Sequence, residues 1–187
     1  MRSSYIQNNY GEVLMAIVDA FRPARCVELG VLDGYSTFHI AKMLKKIGHG
    51  HLDAFDIFED CPWKHSNFED VRNRFQEYSD IVTINKSDAF EVHKLFAFGC
   101  VDFLHVDIGN TGETVQKIIG QWDEKMVQGG VILFEGGSEE RDQVEWMMKY
   151  GKALIKPELE KNKIIEEKYV FGTYLDFPSL TLLLKKR

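Results

Sequence analysis

The chain holds only three cysteines in 187 residues, Cys26, Cys61 and Cys100, an odd number without metal-ligand spacing. That excludes a disulfide framework and points to a reducing compartment. Long apolar runs are also missing: stretches such as Leu182-Leu183-Leu184 fall far short of the roughly 20 residues that a bilayer span needs. The first ten residues are polar and carry no apolar stretch of the secretory kind, so a cytoplasmic location without a membrane is expected. Positive charge is in deficit. With 23 Lys and Arg against 29 Asp and Glu, the formal net charge is -6, which disfavours long-range attraction to a phosphate backbone. The cluster Lys185-Lys186-Arg187 reads as a solvated strand end. The expected partner is therefore a small molecule and not a nucleic acid; a homodimer is compatible with the sequence.

What is present is the composition of a globular protein, 44% hydrophobic and 28% charged. No repeat, low-complexity tract or linker divides it, and one domain over residues 1–187 is expected: an N-terminal helix (1–22), cofactor-binding βα units (24–151) and a closing β-hairpin (152–187). Val13, Leu14, Ile17, Val18 and Phe21 fall on one helical face, and Pro23 stops the pattern. Apolar runs at 26–29, 52–58, 81–85, 101–106 and 131–134 read as strands. Helical patterns alternate with them at 35–47, from a capping box at Ser66-Asn67-Phe68-Glu69 to about 78, from Asp88, at 115–126, and at 138–150. Five such alternations imply a doubly wound, mostly parallel Rossmann-like α/β sheet with helices on both faces. Residues 152–168 are charged and weakly patterned. The runs 169–175 and 180–184 lie only about four residues apart, too close for a crossover, so they form an antiparallel C-terminal β-pair.

In such sheets ligands bind at the carboxyl ends of the strands. The turn after the first strand reads Glu28-x-Gly30-x-x-x-Gly34, and its glycines allow a tight bend close to a ligand. The helix that starts at Tyr35-Ser36 offers N-terminal amides to an anion. A dinucleotide fingerprint would carry a glycine where Leu32 stands. The acids Glu28 and Asp33 would moreover repel a pyrophosphate. S-adenosylmethionine, with an ammonium, a sulfonium and one carboxylate, suits this charge pattern better than NAD.

Acids follow at the ends of the next strands. Asp56, some 20 residues beyond the turn, is the expected partner of ribose hydroxyls, although a solvated loop acid in the series Asp56, Glu59, Asp60 reads equally well. Ser87 and Asp88 stand where an adenine amino group is received; Asp88-x-x-Glu91 is also a helix cap. Asp107 ends a nearly apolar strand, where a carboxylate has no packing reason to be. Glu135 repeats that logic one strand on. Asn110 and Glu113 read as helix-cap residues too. His105 reads as a core histidine, His49-Gly50-His51 as a solvent turn, and Cys61-Pro62-Trp63-Lys64-His65 as a loop on the ligand side.

Together these segments resemble class I methyltransferases, and the small-molecule O-methyltransferases in particular. Val27-Glu28-Leu29-Gly30 with Gly34-Tyr35-Ser36-Thr37 is similar to the E-x-G-x-x-x-G-Y-S motif of the catechol and caffeoyl-coenzyme A O-methyltransferases. The 101–107 strand resembles the D-x-x-x-I-D strand of their broader relatives. The resemblance covers about residues 10–150. It implies that Glu28, Gly30, Gly34, Tyr35 and Ser36 hold the methionine part of the cofactor, that Asp56 takes the ribose and Ser87-Asp88 the adenine side, and that Asp107 lies near the methyl group as the catalytic residue. Two departures stand out. After Asp107 the chain reads Ile108-Gly109-Asn110, without the second acid and histidine of relatives. After the fifth strand it reads Glu135-Gly136, where metal-dependent members carry Asp-Asn or Asp-Asp. Asp107 and Glu135 are thus an incomplete set for Mg²⁺. That degraded motif motivates a second reading, a non-catalytic S-adenosylmethionine-binding or scaffold protein that keeps the fold.

Overall fold

The computed structural model describes residues 1–63 and 65–187, so Lys64 of the Cys61–His65 loop lies outside the described residues. The chain groups into two compact units, residues 1–92 and 93–187.

In the first unit, α1 (Tyr10–Phe21) buries Tyr10, Leu14 and Val18, one residue per turn along one face. Val13 and Ile17 flank that face and Phe21 is exposed, so the buried stripe is narrower than the apolar pattern suggests. β1 (Arg25–Leu29), β2 (His51–Asp56) and β3 (Val82–Lys86) run parallel in the order β3-β2-β1. Leu29 pairs with Phe55 and Asp56 with Lys86, which brings the segments after all three strands to one edge. α2 (Tyr35–Ile47) follows β1 and ends at Gly48 in the left-handed conformation, as its glycine signals. α3 (Phe68–Arg74) starts one residue later than the capping box implies. Asn67, not Ser66, accepts the Glu69 and Asp70 amides, because Ser66 is turned to Asp33. The helix expected from Asp88 is only a turn followed by a 3₁₀ segment at Val92–Leu95.

In the second unit, β4 (Val101–Val106) and β5 (Met126–Glu135) are parallel, with Val106 opposite Phe134. α4 (Gly112–Trp122) joins them and buries Val115, Ile118, Ile119 and Trp122. Met126 and Gly129-Gly130 do not close that helix, as their spacing suggests; they belong to β5, beside an irregular stretch of the ladder between Val101 and Phe103. The helix expected over 138–150 is broken into α5 (Glu139–Asp142) and α6 (Glu145–Lys149). The backbone is extended at Val144 between them, and the Asp142 carboxylate accepts the Ile155 and Lys156 amides. It thereby caps α7 (Ile155–Lys161), which with α8 (Lys163–Lys168) occupies the segment that looked unpatterned. β6 (Tyr169–Tyr174) and β7 (Leu180–Lys185) form the expected antiparallel pair. β7 also pairs antiparallel with β5 and so lies between β5 and β6. The complete strand order is β3-β2-β1-β4-β5-β7-β6, a mostly parallel, doubly wound Rossmann-like sheet.

Candidate active site

β1 ends at Leu29, and the chain turns through Gly30 (φ 93°), Leu32 (φ 50°) and Gly34 (φ 86°). Three left-handed residues in five need external restraint, and the restraint is Asp56. Its Oδ2 accepts the Val31 and Leu32 amides at 2.7 and 3.0 Å, and its Oδ1 accepts the Phe58 amide at 2.8 Å. A carboxylate offers about four lone-pair sites. Backbone amides take three, which leaves one on Oδ1 for an outside hydroxyl. His65 Nε2 stands 3.6 Å from Oδ2. Glu59 and Asp60 have a different fate: both pair with Lys86 at the surface, at 2.7 and 2.9 Å. Asp56 is therefore set apart from its neighbouring acids by burial and by its hold on the turn.

Gly34 is the N-cap residue of α2 and supplies no side-chain hydrogen bond. The first amides of a helix have no partner within it. Those of Tyr35, Ser36 and Thr37 thus form a positive helix end suited to an anion such as a carboxylate. A side chain at position 34 is forbidden twice over, by the positive φ and by the Phe75 ring, 2.5 Å from where a Cβ would stand. Glu28 is fully buried and accepts the Thr37 hydroxyl. Ser36 is buried, and Tyr35 packs its ring on His39 with centroids 4.5 Å apart.

Asp33 corrects the charge argument drawn from the sequence. Arg2 donates its backbone N–H and Nε to Oδ2 at 2.7 and 3.1 Å and its Nη2 to Oδ1 at 2.9 Å. Ser66 donates to the same carboxylate. The Arg2 hydrogen bonds hold the Asp33 carboxyl far below the usual range, against the opposing effect of burial. Its charge is thus answered inside the protein and does not repel a ligand. The case against pyrophosphate rests on Leu32 and Glu28.

After β3, the Ser87 amide donates to the Asp56 carbonyl at 2.9 Å, and Asp88 Oδ1 accepts the Phe90 amide at 2.9 Å. Asp88 is exposed. The structure gathers Gly30, Gly34, Asp56, Ser87 and Asp88 along one strand edge of the first unit.

In the second unit, Asp107 follows β4 and Glu135 is the last residue of β5, each one position past the Val106–Phe134 pair. Asn110 Nδ2 donates to Asp107 Oδ1 at 3.2 Å, while the buried Asn110 Oδ1 accepts nothing among the described residues. Glu135 is buried against Arg141, whose Nε donates to Oε1 at 2.9 Å. A guanidinium already satisfies this carboxylate, and a divalent cation there would face a fixed positive charge. Among the described residues no group of three His, Cys, Asp or Glu converges as a metal site. The side chains present do not fit Mg²⁺. His105 is buried within β4, and His51 Nε2 lies 2.9 Å from Thr83 Oγ1. Three partners escaped the sequence reading: Arg2 and Ser66 on Asp33, and Arg141 on Glu135. No local spacing announces the first two, which act across 31 and 33 residues. Arg141, six residues beyond Glu135, meets it only because the chain reverses at Gly136-Gly137.

This is a doubly wound, Rossmann-like α/β sheet with a glycine turn and acids at strand ends. A family model described as a methyltransferase domain matches residues 27–135, more than half of the chain. The chain belongs to that methyltransferase family. Solved structures share the fold at low identity. The S-adenosylhomocysteine-bound methyltransferase of Podospora anserina is 16% identical, with a TM-score of 0.71, over 100% of this chain and 80% of that one. The O-methyltransferase of Bacillus cereus, a complex with the same product, is 13% identical with a TM-score of 0.71, covering 99% and 84%. The Streptomyces achromogenes O-methyltransferase TomG, in complex with S-adenosylmethionine, is 14% identical with a TM-score of 0.69, covering 96% and 80%. A search of curated proteins gave no match.

Proposed function

We propose that this methyltransferase uses S-adenosylmethionine to methylate a small-molecule acceptor, at a hydroxyl oxygen. The observation that carries the reading is the 28–36 turn: an uncapped helix N-terminus beside a buried glutamate, held open by the Asp56 carboxylate. The α2 amides would receive the cofactor carboxylate, and Glu28, buried beside the turn with the Thr37 hydroxyl on its carboxylate, would answer the ammonium. The remaining lone pair of Asp56 would take a ribose hydroxyl, and Ser87 with Asp88 the adenine amino group. When bound, the cofactor supplies a methyl group on a sulfonium, already activated for displacement. The chain's contribution is then alignment and exclusion of water. Asp107 is the residue we assign to accept the hydroxyl proton as the oxygen attacks, with Asn110 fixing its orientation through Nδ2. No step runs through a metal, because Glu135 is committed to Arg141. A single domain at work in the cytoplasm on a small metabolite completes the proposal. Among the described residues no helix is long and apolar enough to cross a membrane.

Calorimetric titration with S-adenosylhomocysteine and with NAD⁺ tests the cofactor. Binding of the first alone is expected; binding of NAD⁺ alone would overturn the reading. Turnover of S-adenosylmethionine with a panel of hydroxylated small molecules then separates an enzyme from a protein that binds the cofactor without transfer.

A further inference from the structure

β6 is the last strand of the sheet and, among the described residues, β7 is its one strand neighbour. The ladder tells which backbone groups face outward. The Lys186 amide donates to the Lys168 carbonyl at 2.8 Å, and hydrogen-bonded and non-bonded pairs alternate along antiparallel strands. Val170, Gly172 and Tyr174 therefore turn their N–H and C=O groups to β7, while Tyr169, Phe171 and Thr173 turn theirs to the outer edge. Edge strands are normally blunted by charge, proline, a bulge or brevity. β6, Tyr-Val-Phe-Gly-Thr-Tyr, has no charge and no proline, and it pairs with β7 residue by residue over an ordinary strand length. Its outward surface is apolar: Val170 is 59% exposed, Phe171 40%, Tyr174 50%, and Leu175, just beyond, 66%.

We propose that β6 pairs antiparallel with β6 of a second copy of this chain, in an isologous dimer whose two-fold axis passes through Gly172. A second copy presents the same outward row, reversed by the two-fold, so that Phe171 and Thr173 of each copy can bond to Thr173 and Phe171 of the other. Charge selects the register. Lys168, the last residue of α8, and Asp176, two residues past β6 and accepting the Tyr174 hydroxyl at 2.6 Å, flank the strand; continued beyond it, pairing centred on Gly172 sets Lys168 of each copy opposite Asp176 of the other. Lys168 already reaches Asp123 at 2.5 Å, but its side chain is about half exposed. Centring on Phe171 instead would bring Lys168 opposite Tyr174 and lose the opposite-charge match. In the Gly172 register Val170 of one copy packs against Tyr174 of the other, on either side of the two glycines, and Phe171 meets Thr173.

The register makes Gly172 a self-facing, non-hydrogen-bonded position, where Cα atoms approach to about 4.5 Å, within disulfide reach. A Cβ at Gly172 meets nothing within 4 Å in its own chain, so a cysteine is accommodated. In a background carrying Cys61→Ser and Cys100→Ser, Gly172→Cys is expected to give a covalent dimer under mild oxidation. Tyr150→Cys, exposed elsewhere in the same unit, serves as the baseline. By sedimentation equilibrium, Val170→Lys with Tyr174→Lys is expected to raise the dimer Kd at least tenfold, and Val170→Lys with Tyr174→Glu to restore it to within about threefold. A rescue of that kind distinguishes a cross-copy contact from general damage to the strand. A monomer at ~100 μM, a Gly172→Cys yield no better than the baseline, or a dimer indifferent to the lysine pair would each overturn the proposal.

Discussion

Two aspartates near the glycine turn do opposite jobs. Asp33 is a charge answered from outside the turn, by Arg2 and Ser66. Because its folded pKa lies below the unfolded one, its contribution to stability is present above about pH 4 and is lost as the pH falls below that, towards the folded value. Asp33→Asn should therefore melt well below wild type at pH 7, and the gap should narrow in scans between about pH 4 and 2. Asp56 answers amides of the turn itself. Asp56→Ala strands the Val31, Leu32 and Phe58 N–H groups and should cost roughly 2–4 kcal/mol in denaturant unfolding, with weaker S-adenosylhomocysteine binding in parallel. The sequence left Asp56 evenly balanced between a ribose ligand and one more solvated loop acid in the series Asp56, Glu59, Asp60. Only the fold reveals that the latter two belong to Lys86.

At the scale of the element, the informative region is the end of β5 and the helices after it. Glu135 and Arg141 form a buried pair, each side chain 8% exposed. Removing one partner leaves a charge buried without compensation, so Arg141→Ala should destabilise the protein by about 3–5 kcal/mol, measured by urea unfolding. The milder Glu135→Gln should cost less, since the amide oxygen still accepts from Arg141. Activity that survives chelator, together with this stability loss, would separate a structural Glu135 from a metal ligand. The same region explains where strand and helix periodicity failed. Residues 138–150 read as one helix because their apolar spacing fits one, but the backbone turns extended at Val144 and divides it, and the Asp142 carboxylate serves the Ile155 and Lys156 amides instead. Residues 152–168 show little amphipathic pattern, yet Ile155, Leu159 and Ile165 bury completely or nearly so and anchor α7 and α8.

For the whole molecule, ligand binding and folding are linked: a ligand that binds only the folded state stabilises by about 2.7 kcal/mol at one hundred times its Kd. For a chain of 187 residues, that corresponds to a Tm rise of roughly 5–10 °C. S-adenosylhomocysteine should produce such a shift in scanning fluorimetry, and NAD⁺ at the same excess should not. A second whole-molecule anchor is Asp123, at the join of α4 and β5. Burial raises its pKa, but Lys168, Lys185 and the Tyr169 hydroxyl outweigh that and hold it below the usual range. Asp123→Asn should loosen β6 and β7 together and lower stability by roughly 1–3 kcal/mol, followed by hydrogen exchange of their amides.

The sequence by itself determined the strands, the helices save the one expected from Asp88, the unbroken one over 138–150 and the pair within 152–168, the antiparallel close, the glycine turn and the acids at the strand ends. These follow from local periodicity and turn chemistry, which act over a few residues. The boundaries of α2 and β4 were legible to the residue for that reason. Tertiary structure decided what each acid does. Asp33 is neutralised across 31 residues, Asp56 is spent largely on its own turn, and Glu135 is taken by a guanidinium that a glycine reversal brings back. A carboxylate's role is set by which donors surround it, and donors distant along the chain leave no periodic trace in it.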